Sequence, residues 1–274
     1  MVRKGNLLYN GDFETQTAEG WILGAYGLTN DFEMFVDRIA AYKGEAGGWL
    51  NSLKAAATTY VAYDKICSFE EYEAYLYIVY INNHAAYSTS SIVYGLDDKG
   101  NYIKYIRLGY NNEKDVWRSY QAILRGFGDI THFTIGVYAY ADNPSQWVYF
   151  DEAKLIPLRS VKSHILTEYK FFSGLTSDKT WFSTLACIGK CKLRSILKTE
   201  NASGTDPSLS CRICVSLLDN PATFITLNHN TIYSNDINIL VADLPEISYL
   251  TIIYELGGTS PSFDVYHHLR VEPY

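Results

Sequence analysis

Hydrophobic and polar residues alternate in short runs along the first half of the chain. Runs with one apolar and one polar side are typical of half-buried β-strands. Gly, Asn, Asp and Pro separate the runs, and Asp97-Asp-Lys-Gly-Asn101 has the composition of a hairpin turn. The pattern therefore predicts strands at 73–80, 90–94, 102–108, 132–139 and 147–155, and almost no long helix.

The second half of the chain repeats this pattern and is expected to form a second domain. Residues 157–162 are predicted to join the domains, which gives the boundaries 1–158 and 159–274. The turn-forming residues of 201–208 predict an exposed loop. Seven runs at this spacing are typical of a β-sandwich. These candidate strands are 163–171, 181–197, 210–217, 223–227, 237–241, 248–255 and 263–271.

The opening segment combines a short apolar stretch, a turn and two acids. Residues 6–9 are predicted to be a strand that runs into a tight turn at Asn10-Gly11, because both turn residues tolerate positive φ. Strand alternation would then place Phe13 in a core, with Asp12 and Glu14 on the other side. Two carboxylates near free carbonyls are suitable ligands for a hard cation such as calcium.

This segment also carries a family resemblance. The residues Asn6-Leu-Leu, Asn10-Gly-Asp-Phe-Glu14 and Gly20-Trp21 resemble the start of carbohydrate-binding modules with a galactose-binding-like jelly-roll fold. The run 148–155 is similar to that family's closing strand, and 41–44 is similar to its short strand ending in Gly. The resemblance covers residues 1 to about 158. Together with the strand pattern of the second half, the resemblance implies an all-β fold of two β-sandwich (jelly-roll-like) domains in tandem.

The resemblance also implies a calcium ion with a structural role. In the family, acids of the opening and closing strands commonly hold the ion together with loop carbonyls. The matching positions here are Glu14 and Asp151, with Asp12 as a further ligand and carbonyls near Gly44 and Glu45. The alternative interpretation is that these acids are solvated residues at the rim of the sandwich.

Aromatic residues are concentrated in the first half. They make up 15% of the chain, and 18 of the 24 Tyr and four of the five Trp precede residue 159. Strand propensity and core packing explain many such residues. The functional interpretation is that some of them form stacking platforms for sugars, because Tyr and Trp combine a flat apolar face with a polar edge.

Two sets of residues are candidates for a glycan-binding surface. Both combine aromatic rings with polar groups that could bond sugar hydroxyls. Trp21 and Trp49 are instead expected in the core or beside a calcium loop. The first set is Tyr75 and Tyr77, which share one face of a strand, with Asn82 at the strand end; the second is Trp117, Arg118, Tyr138 and Tyr140.

The spacing of four cysteines leaves three interpretations open. Cys187-x3-Cys191 and Cys211-x2-Cys214 superficially suggest zinc, and disulfides are also possible. However, Cys187 and Cys191 share parity with neighbouring Leu residues, and Cys211 shares parity with Ile213. This parity favours core positions, where a thiol behaves as a small hydrophobic group.

Composition excludes several classes of function. Apolar residues make up 47% of the chain and charged residues 19%, which is typical of a folded protein with real cores. The net charge of −7 argues against a nucleic-acid partner. There is no apolar run long enough for a membrane span and no apolar leader of signal-peptide type at the start. Common hydrolase and phosphate-binding motifs are absent, so an enzyme is not expected.

Two functions follow from these features. The first is a non-catalytic, extracellular carbohydrate- or surface-binding protein whose partner is a glycan or cell-surface polymer. The alternative is a structural subunit of a virion (tail, fibre or capsid decoration), or of an extracellular filament or surface layer, with copies of itself or other subunits as partners. Release of virions by lysis would account for the missing leader.

Overall fold

The protein consists of two compact units, Met1–Val161 and Lys162–Tyr274. The structure is a computed structural model that describes residues 6–72, 74–84, 86, 88–159, 164–217 and 224–274. Almost every element is an antiparallel strand, and the expected all-β fold of two sandwiches is confirmed. The predicted strand starts at 73, 163 and 223, and residues 160–162 of the predicted joint, lie outside the described residues.

The first unit contains two antiparallel sheets. One has the strand order β1-β4-β10-β7-β8, with β5 beside β10, and the other includes β9-β6-β11-β3-β2. The strands are β1 (Trp21–Leu23), β2 (Phe32–Asp37), β3 (Gly47–Ser52), β4 (Ala57–Tyr63), β5 (Cys67–Ser68), β6 (Ala74–Asn82), β7 (Ser88–Leu96), β8 (Tyr102–Asn111), β9 (Trp117–Leu124), β10 (His132–Ala141) and β11 (Trp147–Leu158).

The two sheets pack face to face, and tyrosines join them. Tyr77 of β6 donates its hydroxyl hydrogen bond to the Gly136 carbonyl of β10, at 2.9 Å. The Tyr120 hydroxyl of β9 lies 2.8 Å from the Thr89 hydroxyl of β7. All four residues are buried. Buried tyrosines need such partners, because an unpaired polar group in a core is destabilising.

The opening segment is not a strand, which corrects the prediction for residues 6–9. Asn6 instead uses its side chain against β11: its Oδ1 accepts from the Leu155 N–H at 2.9 Å. Gly11 passes so close to β11 that a Cβ there would lie 2.3 Å from the Ala153 carbonyl oxygen. Phe13 is fully buried, as predicted, and stacks on Trp21 at 5.6 Å.

The second unit is organised by two very long strands, β15 and β18. They pair with each other along nearly their whole length, with register shifts between Glu200 and Ser208. The strands of this unit are β12 (Leu166–Leu175), β13 (Lys179–Ser183), β14 (Leu185–Cys187), β15 (Cys191–Ser216), β16 (Phe224–Asn228), β17 (Asp236–Leu244) and β18 (Tyr249–Pro273).

The β15–β18 ribbon contributes to both layers of this unit. Its first layer contains β12, the C-terminal half of β18, the N-terminal half of β15 and β17. Its second layer contains β13, the other halves of β18 and β15, and β16. The layers meet inside, where the Tyr254 hydroxyl of one lies 2.6 Å from His267 Nδ1 of the other.

Two predictions for this half are wrong in detail. Residues 201–208 are exposed at most positions but belong to β15, because the partner strand continues beside them. The predicted strand 181–197 is divided among β13, β14 and the start of β15.

Parity was a good guide to the cysteines: Cys187, Cys191 and Cys211 are buried, whereas Cys214 is half-buried.

Helices are limited to single turns in the described residues. Two 3₁₀ turns occur, at Ala25–Gly27 and Arg38–Ala40. Within the described ranges, no helix has the length and apolar character needed to cross a membrane.

Candidate functional site

The outer surface of the β9-β6-β11-β3-β2 sheet carries a row of four aromatic rings and one amide. Cross-strand pairing aligns one residue from each strand in this row. With strands about 4.8 Å apart, the row is roughly 19 Å long. In strand order its residues are Trp117, Asn82, Tyr149, Trp49 and Phe35.

Further rings extend this row into a surface. Trp147 lies next to Trp49, with ring centres 6.1 Å apart. His84 stacks on both Trp147 and Tyr149, at 5.4 and 5.5 Å. We call this surface the aromatic face; it comprises Phe35, Tyr42, Trp49, Asn51, Tyr80, Asn82, His84, Trp117, Trp147 and Tyr149.

Strand alternation explains why these rings face outward. In β11, Val148 and Phe150 are fully buried in the sandwich, so Trp147 and Tyr149 lie on the opposite side. Side chains on a sheet stand roughly perpendicular to it, and cross-strand neighbours therefore hold each ring upright. The result is a surface lined mainly by aromatic rings.

The aromatic face contains polar atoms without partners. The indole N–H groups of Trp49 and Trp147 and the amide oxygens of Asn51 and Asn82 are shielded from solvent and make no hydrogen bond. Unpaired buried polar atoms are rare in folded proteins and are destabilising. Two donors and two acceptors of this kind can bond the hydroxyl groups of a ligand when the side chains that cover them shift.

A buried carboxylate positions one edge of this face. Asp151 Oδ2 accepts the backbone N–H groups of Tyr42 and Lys43 at 2.9 and 3.0 Å, and Oδ1 accepts that of Glu152 at 2.6 Å. Tyr42, held in this way, stacks on Tyr80 at 4.1 Å. Burial raises the pKa of Asp151 to about 7, and the three backbone donors oppose that rise.

The predicted calcium ligands lie around the same loop but bond backbone N–H groups. Glu14 Oε1 accepts from the Glu45 N–H at 2.9 Å, and both oxygens of Asp151 are occupied as described. Asp12 is half-buried, and Asp12, Glu14 and Asp151 do not form a cluster of ligand atoms in the described chain. Glu14 and Asp151 thus accept backbone N–H groups in this structure, and calcium stays a prediction.

The predicted glycan-binding residues are divided among three places. Asn82 and Trp117 are cross-strand partners on the aromatic face. Tyr75 and Tyr77 were wrongly predicted, because their shared side of β6 is the inner one and both rings are buried in the core. A sugar on the surface cannot contact either ring.

The other three predicted residues do not join this face. Arg118 is half-buried and forms a 2.7 Å ion pair with Glu113. Tyr138 and Tyr140 belong to the opposite sheet, where Tyr138 is buried beneath the Arg107 guanidinium at 3.7 Å. Tyr140 is half-buried and packs against the buried cluster that contains Tyr60, Tyr94 and Tyr138.

Sequence reasoning missed the centre of the site. Trp49 was expected in the core or by a calcium loop, but it lies on the outer surface beside Trp147 and Tyr149. The pattern of β11 contained the signal, because Trp147 and Tyr149 alternate with the purely apolar Val148 and Phe150. Trp49 alternates with Gly48 and Leu50 in the same way.

Comparison with known proteins gives structural neighbours only. No protein-family model matches the chain, and no curated protein matches it. Among solved structures, the CBM22-1–CBM22-2 tandem domain of Paenibacillus barcinonensis Xyn10C is 12% identical, with a TM-score of 0.42 and 100% of both chains covered.

Two further structures match the chain in part. The C-terminal family 22 carbohydrate-binding module of Clostridium thermocellum Xyn10B is 19% identical, with a TM-score of 0.43; the match covers 56% of this chain and 93% of that one. The enzymatically active domain of bacteriophage CBA120 tailspike protein 4 is 11% identical, also with a TM-score of 0.43; the match covers 56% of this chain and 22% of that one. The Xyn10C tandem domain and the Xyn10B module are carbohydrate-binding modules, the class that the opening motif resembles. Because these TM-scores are below 0.5, the proposals below rest on the residues of the site.

Proposed function

We propose that the first unit binds a glycan on the aromatic face and that the chain is a non-catalytic carbohydrate-binding protein. The observation that supports this proposal is the row of aromatic rings that cross-strand pairing aligns on one outer surface. Four polar atoms lie among the rings without a partner: Trp49 Nε1, Trp147 Nε1, Asn51 Oδ1 and Asn82 Oδ1.

The chemistry of a sugar matches both parts of this surface. A pyranose ring presents an apolar C–H patch that can stack on an indole or phenol ring. Its hydroxyls both donate and accept, so they can pair with the indole N–H groups and amide oxygens once the covering side chains shift to expose those atoms. The length of the row, roughly 19 Å from the strand spacing, favours an extended oligosaccharide over a single sugar.

The buried carboxylate of Asp151, at the edge of the aromatic face, supports binding without catalysis. A glycosidase needs two carboxyl groups that flank the scissile bond. Asp151 has both oxygens occupied by backbone N–H groups, and its role is to position Tyr42. This function implies an extracellular or virion-surface location, where cell-surface polymers and other polysaccharides are found.

The test is retention on polysaccharides by the purified chain and its variants. Affinity electrophoresis in gels containing soluble plant and microbial polysaccharides identifies a ligand, and titration calorimetry with its oligosaccharides gives Kd. Trp147→Ala and Trp49→Ala should each weaken binding by about 10-fold or more, since losing one stacking ring and one hydrogen bond removes at least 1.4 kcal/mol.

Tyr140→Ala is the matched control, because it removes a half-buried ring from the other sheet. Thermal unfolding of each variant separates loss of binding from loss of folding. Retention on no polysaccharide, or equal weakening by Tyr140→Ala and Trp147→Ala, would contradict the proposal. Release of reducing sugar by the wild-type chain would contradict its non-catalytic part.

A second candidate function is that of a structural subunit that associates with further copies of itself. It is favoured by the outer surface of the first layer of the second unit. Paired positions there form apolar rows across four strands, for example Tyr169, His268, Ile196 and Ile239. Exposed apolar surfaces of this width are uncommon on monomers. The mass of the chain in solution tests this candidate.

A further inference from the structure

Three potential metal ligands meet in the core of the second unit. Cys211 is in β15, His229 follows β16, and His267 is in β18. One ligand atom from each lies within 4.8 Å of the other two, and all three residues are buried. The first two belong to the second layer of this unit and His267 belongs to the first layer, so the group lies between them.

Outer partners orient both imidazole rings. His229 Nδ1 lies 2.9 Å from Asn238 Oδ1, an oxygen that can only accept, so Nδ1 carries the proton and Nε2 presents its lone pair. His267 Nδ1 lies 2.6 Å from the Tyr254 hydroxyl. The two Nε2 atoms converge on Ser195 Oγ, at 2.7 and 2.5 Å. Metal-binding histidines typically have such a partner on the second nitrogen.

We propose that Cys211, His229 and His267 bind a zinc ion that joins the two layers of the second unit. A thiolate and two imidazoles are a donor set that zinc favours. Tetrahedral zinc, with bonds of about 2.0–2.3 Å, separates its ligand atoms by roughly 3.3–3.6 Å. Closing the observed group to this size takes side-chain shifts of about 1 Å.

Zinc binding releases one proton from the site. The Cys211 S–H bond breaks, its proton leaves to solvent, and the thiolate forms the Zn–S bond. His267 binds through Nε2, and its proton moves to Nδ1, where the Tyr254 oxygen accepts the hydrogen bond. Ser195 Oγ, between the two Nε2 atoms, or a water takes the fourth position.

A competing arrangement uses the same residues without metal. The Tyr254 hydroxyl can donate to His267 Nδ1, His267 Nε2–H to Ser195, Ser195 to His229 Nε2, and His229 Nδ1–H to Asn238. This hydrogen-bond chain is complete, but it gives Cys211 no role. The cysteine therefore distinguishes the two arrangements.

The experiment measures metal in the full chain after refolding, because the site is closed to solvent in the folded state. The chain is unfolded with a chelator, then refolded with equimolar Zn²⁺, with Co²⁺ or with chelator alone, and desalted. We expect about one zinc per chain, a thiolate-to-cobalt charge-transfer band, and a higher midpoint of thermal unfolding with zinc than with chelator.

Two pairs of neighbouring residues supply matched variants. Cys211→Ser and His267→Gln should lose the metal, whereas Cys214→Ser and His268→Gln should keep it, because Cys214 and His268 lie on the outer side of the same strands. If the first two fail to fold, the cobalt spectrum and midpoint shift of the wild-type chain decide. No bound zinc after refolding, unchanged midpoints, or full metal retention in Cys211→Ser would overturn the proposal in favour of the hydrogen-bond chain.

Discussion

Asp151 shows how one buried side chain shapes a surface it does not itself form. Its buried carboxylate lies at the edge of the aromatic face and fixes two successive N–H groups of the loop that carries Tyr42. Tyr42 in turn stacks on Tyr80 and lies 5.2 Å from Trp117, ring centre to ring centre. Burial disfavours the charged form of this carboxyl, so its protonation affects both stability and the shape of the face.

The stability of the first unit should depend on pH through Asp151. Burial raises the pKa of Asp151 from 3.8 to about 7. Between pH 3.8 and about 7, the carboxyl is therefore protonated in the folded state but ionised in the unfolded state. The contribution of Asp151 to the unfolding free energy therefore falls as pH rises from about 4 to about 7, by up to about 1.4 kcal/mol per pH unit.

Urea unfolding followed by tryptophan fluorescence measures this dependence, since four of the five Trp lie in the first unit. A chelator in all samples keeps divalent cations from competing for the carboxylates. Asp151→Asn should remove the fall in unfolding free energy between about pH 4 and 7. Asp37→Asn, at the rim of the same sheet, should leave that fall unchanged. A wild-type profile parallel to that of Asp151→Asn would disprove the prediction.

The limits of prediction at this scale come from tyrosine itself. Parity correctly placed Tyr75 and Tyr77 on one side of β6, but it could not decide which side faces the core. Tyr fits either environment, because a buried hydroxyl needs only one partner, such as the Gly136 carbonyl that Tyr77 uses. Residues that fit only one environment, such as Val148 and Phe150 in β11, identify the inner side reliably.

At the scale of elements, the bend of the β15–β18 ribbon determines the architecture of the second unit. At the bend, Gly204 and Gly258 have φ values of +111° and +97°. Each also approaches the opposite strand closely. The sequence predicted a loop at 201–208 because these residues favour turns. Their pairing with 257–262 is a non-local contact, which local composition does not reveal.

Gly258→Ala should destabilise the second unit by about 1–3 kcal/mol. An added Cβ would lie 2.3 Å from the Asp206 carbonyl oxygen, in a backbone conformation that L-residues rarely adopt. Gly174→Ala is the matched control: its φ is +56°, but the nearest atom to an added Cβ is 3.9 Å away, so we expect a loss of about 1 kcal/mol. Differential scanning calorimetry measures both, and equal losses would show that the contact with β15 is unimportant.

At the scale of the whole molecule, each unit presents one unusual sheet surface, and the two surfaces differ in chemistry. The aromatic face of the first unit combines rings with shielded polar atoms, which suits a ligand rich in hydroxyls. The surface of the second unit is more exposed: Tyr169 is 71% and Ile239 is 59% accessible. Both surfaces follow from alternation in individual strands, but the sequence could not align them across strands without the register.

The exposed surface of the second unit should drive association between copies of the chain. Its rows pair Phe171 with Tyr266, Lys198 and Ile237, next to the row that ends at Ile239. The surface already carries Lys198, so Ile239→Lys adds a second positive charge in the neighbouring row. Because association would have to desolvate both like charges, this substitution should shift the chain towards monomer while leaving glycan binding unchanged. Sedimentation equilibrium over a range of concentrations measures the shift. Tyr233→Lys is the control, because this residue is 68% exposed but lies outside these rows. A wild-type chain that stays monomeric at high concentration would exclude self-association and leave glycan binding as the remaining function.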